Sequence, residues 1–370
     1  MDTTSLRSWC EIDLSAFEHN LRTIREVIGN HPEIMAIVKA DAYGHGLKKV
    51  VLKLKKADCQ MIGVASLSEA NEVRKYGCKL PILLLSAALR TEYAGAIRAG
   101  FLLTLSSIAE ARELNREAVR IKRKAHIHLK VDTGMGRLGV SPADALPLKH
   151  FIETSPNLAL EGIYSHFASA DTDNDLTKKQ WSLFQSFSES SLKKHFANSA
   201  ALLNCSDSHL DLVRPGLAFY GISSIGNFQK KLIPALSWKS RITLVKNFAK
   251  GKTISYGATY KTPRQMKIAI ISVGYGDGYL RYLSNRGQVL VNGTRCPILG
   301  RVTMDQIMVD VTKAPEVDNG TEVTLIGQDR QEKILASHMA TWAKTIPYEI
   351  WTHITPRVPR IYRTRSIRFS

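Results

Sequence analysis

The stretch IMAIVKADAYGHG, residues 34–46, sets one lysine, Lys39, directly behind five apolar residues. Ile34 to Val38 is too short for a helix and unbroken by any polar group, the pattern of a strand buried on both faces in a parallel sheet. Gly44 and Gly46 then mark a loop. An ammonium at the rim of such a sheet is partly desolvated, which disfavours its charged form and leaves an amine able to form a Schiff base. A lysine that merely lays its stem over apolar surface, with its head in water, fits the same residues.

Working outward, 9–12 reads as a short strand, and 13–29 as a helix with Leu14, Phe17, Leu21, Ile24 and Val27 on one face, closed by Gly29. Beyond Lys39, apolar runs at 62–65, 82–85, 101–105, 125–131, 158–164, 193–197 and 212–220 alternate with helical patterns such as 68–76, 106–120 and 175–192. With 34–38 they make eight strand-helix units, the pattern of a (β/α)8 TIM-type barrel, whose reactive residues sit at the carboxyl ends of the strands. After about residue 235 the runs shorten and alternate (242–248, 268–273, 288–291, 306–311, 322–326) between Gly, Asn and Asp turns, with one helix at 333–345. This predicts an α/β chain with a barrel over 1–234 and a mainly β domain over 235–370, residues 1–12 being free to pair with the second domain.

The totals bound the function. No run reaches the roughly 20 apolar residues of a membrane span, and the first residues, MDTTSLRSWCEID, hold no apolar signal core. Five scattered cysteines without a C-x-x-C pair indicate neither a disulfide framework nor a zinc site, and fit a reducing cytoplasm. The formal charge of +18 is spread along the chain. Its densest patches, 53–56 and 120–130, lack the interleaved aromatics of a single-strand nucleic-acid binder, so solvated faces account for them and neither nucleic acid nor membrane is expected as partner.

Several stretches put polar groups where strand ends fall. KVDTGMGRLG (130–139) offers Arg137 on a glycine-rich loop, where a guanidinium can grip a carboxylate or phenolate in two places. YSHF (164–167) sets His166 at the sixth strand end, either as a functional group or as a locally bonded core histidine. FANSAA (196–201) opens a short helix, where Ser199 suits a phosphate or an ordinary N-cap. DLVRPGLAFYG (211–221) places Arg214 in the last strand, before a Pro-Gly step where barrels of this kind form phosphate sites. SYGATY (255–260) and GRVTMDQ (300–306) are polar turns of the second domain. VGYGDGY (273–279) lacks the spacing and context of a dinucleotide loop. His126 and His128 could share one strand face as metal ligands, but no third ligand lies near in sequence and no metal is expected.

Taken in this order, with PYEI (347–350), these motifs resemble alanine racemase, a pyridoxal-phosphate enzyme with a barrel joined to a β domain, over residues 9–362. The resemblance implies that Lys39 holds the cofactor and serves as the base on the D side of the substrate. It makes Tyr256 the base on the L side, supplied by the second subunit of a homodimer with shared active sites. It implies that Tyr43, Ser199, Tyr348 and the amides of Gly216 and Leu217 hold the phosphate, and that Arg137 meets the ring oxygen and the substrate carboxylate. Met304 of the second subunit would add a carboxylate contact. Lys130 matches a lysine that is often carbamylated, and Tyr275, Arg301, Asp305 and Tyr348 would line the substrate's way in. A further implied chain runs from Arg214 through His166 to Tyr256. The cofactor is pyridoxal 5'-phosphate, the substrate alanine, and the implied role is D-alanine for peptidoglycan.

The chemistry of these roles is coherent. Imine formation with pyridoxal spreads a carbanion's electrons into the ring, and racemisation then needs a base on each face. A free tyrosine has a pKa of about 10, so its phenolate is roughly 4 kcal/mol uphill at pH 7, and a positive neighbour would lower that cost. Thr303, Leu280 and Pro347 depart from commoner family residues without removing a proposed group. A decarboxylase or serine-preferring racemase of similar architecture, and a non-catalytic cofactor carrier, are the competing readings. A decarboxylase has less use for Tyr256 with Arg214, and a carrier has no use for Tyr256 or the second domain.

Overall fold

The computed structural model describes residues 3–187 and 191–364. The chain divides into two compact units: Phe17–Ala42 with Leu47–Ile233, and Met1–Ala16 with Tyr43–Gly46 and Pro234–Ser370. Strand β1 (Ser8–Asp13) belongs to the latter. The former contains eight parallel strands, β2 (Glu33–Ile37), β3 (Met61–Val64), β4 (Ile82–Leu84), β5 (Leu102–Leu105), β6 (Ala125–Lys130), β7 (Leu158–Tyr164), β8 (Lys193–His195) and β9 (Leu212–Val213). Their order, β8-β7-β6-β5-β4-β3-β2-β9, is sequential apart from β9, which returns beside β2. The Arg214 amide donates to the Ala197 carbonyl at 2.9 Å and that of Asp211 to Lys194 at 3.1 Å, so the two ends of the sheet meet and the barrel is nearly closed.

Local chemistry explains the repeat. Strands β2 to β5 are short runs, mostly apolar and buried, while β6 and β7 mix apolar with polar residues and β8 is Lys-Lys-His; polar side chains start several of the helices that follow. Ser66, Ser107, Ser141 and Asp173 accept the amides of Glu69, Glu110, Asp144 and Leu176 at the starts of helices Leu67–Lys75, Ile108–Ile121, Pro142–Thr154 and Asn174–Gln185. Helix Leu14–Ile28 buries Phe17, Leu21, Ile24 and Ile28 and stops at Gly29, whose φ of 73° a side chain would resist.

Three sequence expectations change. The run 212–220 yields a strand only over Leu212–Val213, because Pro215 has no amide to continue the ladder and Leu217–Tyr220 coils into a 3-10 turn. Arg214 therefore follows the last strand rather than lying within it. Helix 175–192 is Asn174–Gln185, and residues 188–190 lie outside the described residues. Helices Leu47–Leu54, Tyr93–Ala99 and Pro142–Thr154 complete the ring; the last carries Pro147 internally, which blurs its period.

In the other unit β1 pairs antiparallel with β10 (Leu236–Phe248) and parallel with β19 (Arg360–Arg363). A two-stranded ribbon, β11 (Thr253–Ile254) and β12 (Tyr260–Lys261), leads to β13 (Met266–Ile271), β14 (Gln288–Val291), β15 (Thr294–Pro297), β16 (Ile307–Asp310), β17 (Glu322–Asp329) and β18 (Glu332–Ile334). The main path is β15-β14-β17-β10-β1-β19, and β13 joins β10 to β16. Register shifts in β10 near Trp238 and Ile242 let one strand of 13 residues serve both arms. Trp9 and Trp238 are fully buried with their indole N–H groups donating to Glu11 and Ser8, so neither ring hides an unpaired donor. The expected helix at 333–345 is Ala336–Ala343.

Leu129, wholly buried in β6, measures how much the barrel depends on this packing. Leu129→Ala is expected to destabilise the protein by about 2–5 kcal/mol, read as a lower urea midpoint with an unchanged slope.

Candidate active site

Lys39 does not enter a flexible loop. It begins a single turn, Lys39–Gly44, in which Ala40, Asp41, Ala42 and Tyr43 all hold φ between 49° and 53° and Gly44 holds 75°. A left-handed turn costs about 1–2 kcal/mol for each residue with a side chain, so its surroundings must hold it. They do: Glu69 Oε1 accepts the Ala40 amide at 2.6 Å, Val38 O accepts that of Ala42 at 2.9 Å, and Asp41 Oδ1 accepts that of Leu47 at 2.7 Å. The second Glu69 oxygen takes the Ala65 amide at 2.8 Å. Beneath the turn, the Tyr220 hydroxyl donates to Ile37 O at 2.9 Å. Lys39 is half-buried, and burial, then the Arg137 charge, push its ammonium below its ordinary pKa against an opposing pull from Glu69.

Arg214, just past the strand that pairs with β2, anchors a second cluster at the barrel rim. Its guanidinium is buried, donates to His195 Nδ1 at 2.7 Å, Ser165 O at 2.6 Å and Phe196 O at 3.1 Å, and reaches His166 Nδ1 at 3.2 Å. A guanidinium only donates, so each imidazole accepts at Nδ1 and carries its proton on Nε2. The His195 Nε2 proton then passes to His128 Nδ1 at 2.7 Å. Burial, then Arg214, hold His166 and His195 well below the usual imidazole range, and burial first pushes His128 down to about 3, so all three are neutral. Burial also brings Arg214 down to about 10, which leaves it charged at neutral pH.

Tyr164 stacks on His195 with centroids 4.5 Å apart, shares a 2.7 Å hydrogen bond with Thr104, and lies under both Lys130 and Arg214. Lys130 is buried, and burial followed by the Arg214 and Arg137 charges holds its amine well below the ordinary lysine value. Arg137 itself is exposed, on a loop shaped by the Asp132 carboxylate, which accepts the amides of Gly134, Met135 and Gly136. The two histidines weighed as metal ligands part company. His128 is buried against His195, whereas His126 pairs with Glu161 at the surface. Among the described residues no three metal-ligating side chains cluster.

The capping role near 198–201 falls to Asn198, whose side chain accepts the amides of Ala200 and Ala201, not to Ser199. Ser199 Oγ instead accepts the amides of Gly216 and Ala218 at 2.9 and 3.1 Å, stitching two strand ends together. The Leu217 amide between them makes no hydrogen bond among the described residues. Glu69 and His195 escaped the sequence reading. The S-x-x-E pattern from Ser66 to Glu69 could have flagged the first as a capping box, but nothing local revealed that its carboxylate reaches Ala40.

In the second unit Tyr43 and Tyr348 meet with ring centroids 5.1 Å apart. Tyr256 sits in a tight turn whose preceding residue, Ser255, holds φ 66° and ψ −178°, a region normally left to glycine. The Ser255 hydroxyl bonds Arg301 O at 2.6 Å, and a Cβ at Gly257 would lie 3.1 Å from the Arg301 guanidinium carbon. The 300–306 turn therefore backs the Tyr256 turn directly. Thr303 closes it, its hydroxyl accepting the Gln306 amide and donating to the Gln306 carbonyl. Leu280 holds φ −56°, a value proline would share, and Pro347 occupies the first turn of helix Pro347–His353. The side chains of Tyr256, Tyr275 and Met304 are 71%, 43% and 53% exposed.

Comparison with known proteins accounts for both units. The family models described as alanine racemase, N-terminal domain, and alanine racemase, C-terminal domain, match residues 12–224 and 235–362. The chain is 43% identical over 370 residues to the alanine racemase of Halothermothrix orenii, covering 97% of each. It is 41% identical over 359 residues to that of Methylacidiphilum infernorum, covering 96% of this chain and 93% of the relative. Among solved structures it is similar to alanine racemase from the D-cycloserine producer Streptomyces lavendulae, with a TM-score of 0.90, 33% identity and coverage of 97% and 98%. The alanine racemase of Bacillus anthracis with bound L-Ala-P gives 0.86, 36% identity and coverage of 96% and 95%. With both of its units matched and relatives above 40% identity along nearly the whole length, the chain belongs to the alanine racemase family.

Proposed function

We propose that this protein interconverts L-alanine and D-alanine, using pyridoxal phosphate and two bases, Lys39 and Tyr256. The observation that carries the reading is Lys39, an amine with lowered proton affinity held on a backbone turn of fixed, costly geometry. The donor set fits the cofactor. A buried guanidinium bonded only to neutral groups, at Arg214, suits an unprotonated ring nitrogen. The Leu217 amide, unbonded among the described residues, suits a phosphate oxygen beside Ser199; the Gly216 amide would turn from Ser199 Oγ to join it, with Tyr43 and Tyr348 as further contacts. Arg137 would meet the ring oxygen and the substrate carboxylate.

When bound, pyridoxal phosphate supplies an electron sink that acidifies the substrate's α-carbon. The protein's part is to hold and move protons. Lys39 Nζ, already disposed to lose its proton, serves one face; the Tyr256 phenol oxygen serves the other. His166, kept neutral by burial first and by Arg214 next, presents its Nε2 proton as a donor and would stabilise a phenolate at Tyr256. Lys130, whose proton affinity burial and then the Arg214 and Arg137 charges lower, can in its amine form add carbon dioxide at nitrogen and lose a proton, giving a carbamate that pairs with Arg137.

The exposed Tyr256, Tyr275 and Met304 support a homodimer in which a second copy covers them and receives Tyr256 and Met304 into its own site. Tyr275, Arg301, Asp305 and Tyr348 would then flank the substrate's way in. Five free cysteines, and no helix among the described residues long and apolar enough to cross a membrane, support a place in the cytoplasm. D-alanine made there would supply peptidoglycan synthesis.

Chiral analysis of L-alanine and L-serine incubated with cofactor tests the reading, and absence of D-alanine would end it. Lys39→Ala is expected to lose the visible absorbance of lysine-bound cofactor and at least about a thousandfold in turnover. Arg214→Glu is expected to slow racemisation and raise the share of transamination; an unchanged ratio would count against the role given to Arg214. The buried histidines set a pH dependence as well. Their folded pKa values lie below the unfolded value of about 6.5, so their contribution to stability is complete above that pH. It is lost as pH falls, for His128 down through about 3. Urea unfolding from pH 7 to pH 4 should show this decline, and His128→Asn should flatten it.

A further inference from the structure

Arg357 lies outside every motif considered so far, in the segment that follows helix Pro347–His353. The turn bearing Met304 accepts two backbone bonds from its neighbour: the Tyr275 amide donates to Thr303 O at 3.0 Å and the Gly276 amide to Met304 O at 2.9 Å. Thr355 holds that neighbour in turn, its amide donating to Asp277 O and its hydroxyl to Gly276 O, both at 3.0 Å. Arg357 then bridges two carboxylates. Its Nη2 lies 2.8 Å from Asp305 Oδ1 and its Nε 3.3 Å from Asp277 Oδ1. A Cβ at Gly276 would stand 2.5 Å from Arg357 Nη1, so the guanidinium rests against bare backbone and would have to shift for any side chain there.

The two carboxylates differ. Asp277 is nearly buried and also accepts the Gly274 amide at 3.0 Å, which makes it a fixed anchor. Asp305 is 58% exposed, one residue beyond Met304. The Met304 amide makes no hydrogen bond among the described residues and is free to meet an anion. A second negative charge next to that amide would repel the substrate's carboxylate.

We propose that Arg357 is a positioning residue for the substrate carboxylate: it ties Asp305 to Asp277, fixing the Met304 turn and cancelling the Asp305 charge beside it. The inference rests on the reading of Met304 as a carboxylate contact. Exposed ion pairs add little to folding, so the effect falls on binding.

The test uses the cofactor-loaded enzyme and compares KM and kcat for both alanine enantiomers with the cofactor's absorbance and Tm. Arg357→Met is expected to raise both KM values about fivefold with kcat, absorbance and Tm near wild type. Arg357→Lys, which keeps the charge, should recover most of the loss. Adding Asp305→Asn to Arg357→Met should bring KM back towards wild type, because the repelling charge is gone; a merely structural role would give no such rescue. An unchanged KM in Arg357→Met, or no rescue by Asp305→Asn, overturns the proposal. Met304→Pro, which removes the amide proton, separates the two levels. Wild-type KM in that variant would remove the carboxylate contact and the Arg357 role with it, whereas a raised KM there beside an unchanged one in Arg357→Met would remove the Arg357 role alone.

Discussion

A buried guanidinium bonded to neutral groups is the constraint on which the barrel site depends. Arg214 meets two carbonyl oxygens and two imidazoles, and no carboxylate approaches it among the bonds of the described residues. A carboxylate would compensate the charge better, but it would also neutralise the group and leave it little to offer a ligand. Neutral acceptors solvate the charge while preserving its field. Burial first, with that field added to it, sets the state of its surroundings: three histidines stay unprotonated, and Lys130 loses proton affinity. The tautomers follow too, since each imidazole must accept at Nδ1 where the arginine or the preceding ring donates. Burial and one guanidinium together thus set the protonation of a buried polar layer at the ends of neighbouring strands.

Next to it, the Lys39 end of β2 works by backbone geometry. Lys39 stands at the start of a left-handed turn that residues with side chains avoid, and Glu69 stabilises its first amide while bridging to Ala65. Such a turn orients the lysine more narrowly than a glycine loop would. Glu69 also sets an opposing charge against Lys39, so the same carboxylate shapes the turn and restrains the fall in the lysine's proton affinity.

The barrel was legible because most of its strands, β2 to β5 above all, are short apolar runs at regular intervals, a signal that survives without knowledge of tertiary contacts; β8, Lys-Lys-His, gave only a weak one. Its eighth strand was not, because Pro215 ends a ladder that the apolar residues after it would otherwise extend. The site was legible where loops carry unusual residues, as at Lys39, Arg137 and Arg214. It was illegible where function depends on who touches whom. Ser199 read as a cap until Asn198 proved to cap the helix, and His195 read as nothing until it met Arg214. Gly44 and Gly46 announced a loop, while the left-handed turn is built mostly from alanine, aspartate and tyrosine, which give no sign of positive φ.

The balance of charge around the barrel rim has a thermodynamic consequence. Positive charge gathers there: Arg137 adds to the effect of burial on Lys39, and Arg214 and Arg137 add to it on Lys130, against Glu69 at the first lysine and Asp132 at the second. Such a grouping costs stability in the empty protein. An anionic ligand that binds the folded chain and not the unfolded one recovers that cost, in proportion to the logarithm of its concentration over its dissociation constant. A phosphate ester and an amino-acid carboxylate are both anions, and a carbamate on Lys130 would be a third. The site is therefore folded against its own electrostatics so that binding its ligands completes it, and the unpaired cations that weaken the empty barrel are the same groups that hold what it binds.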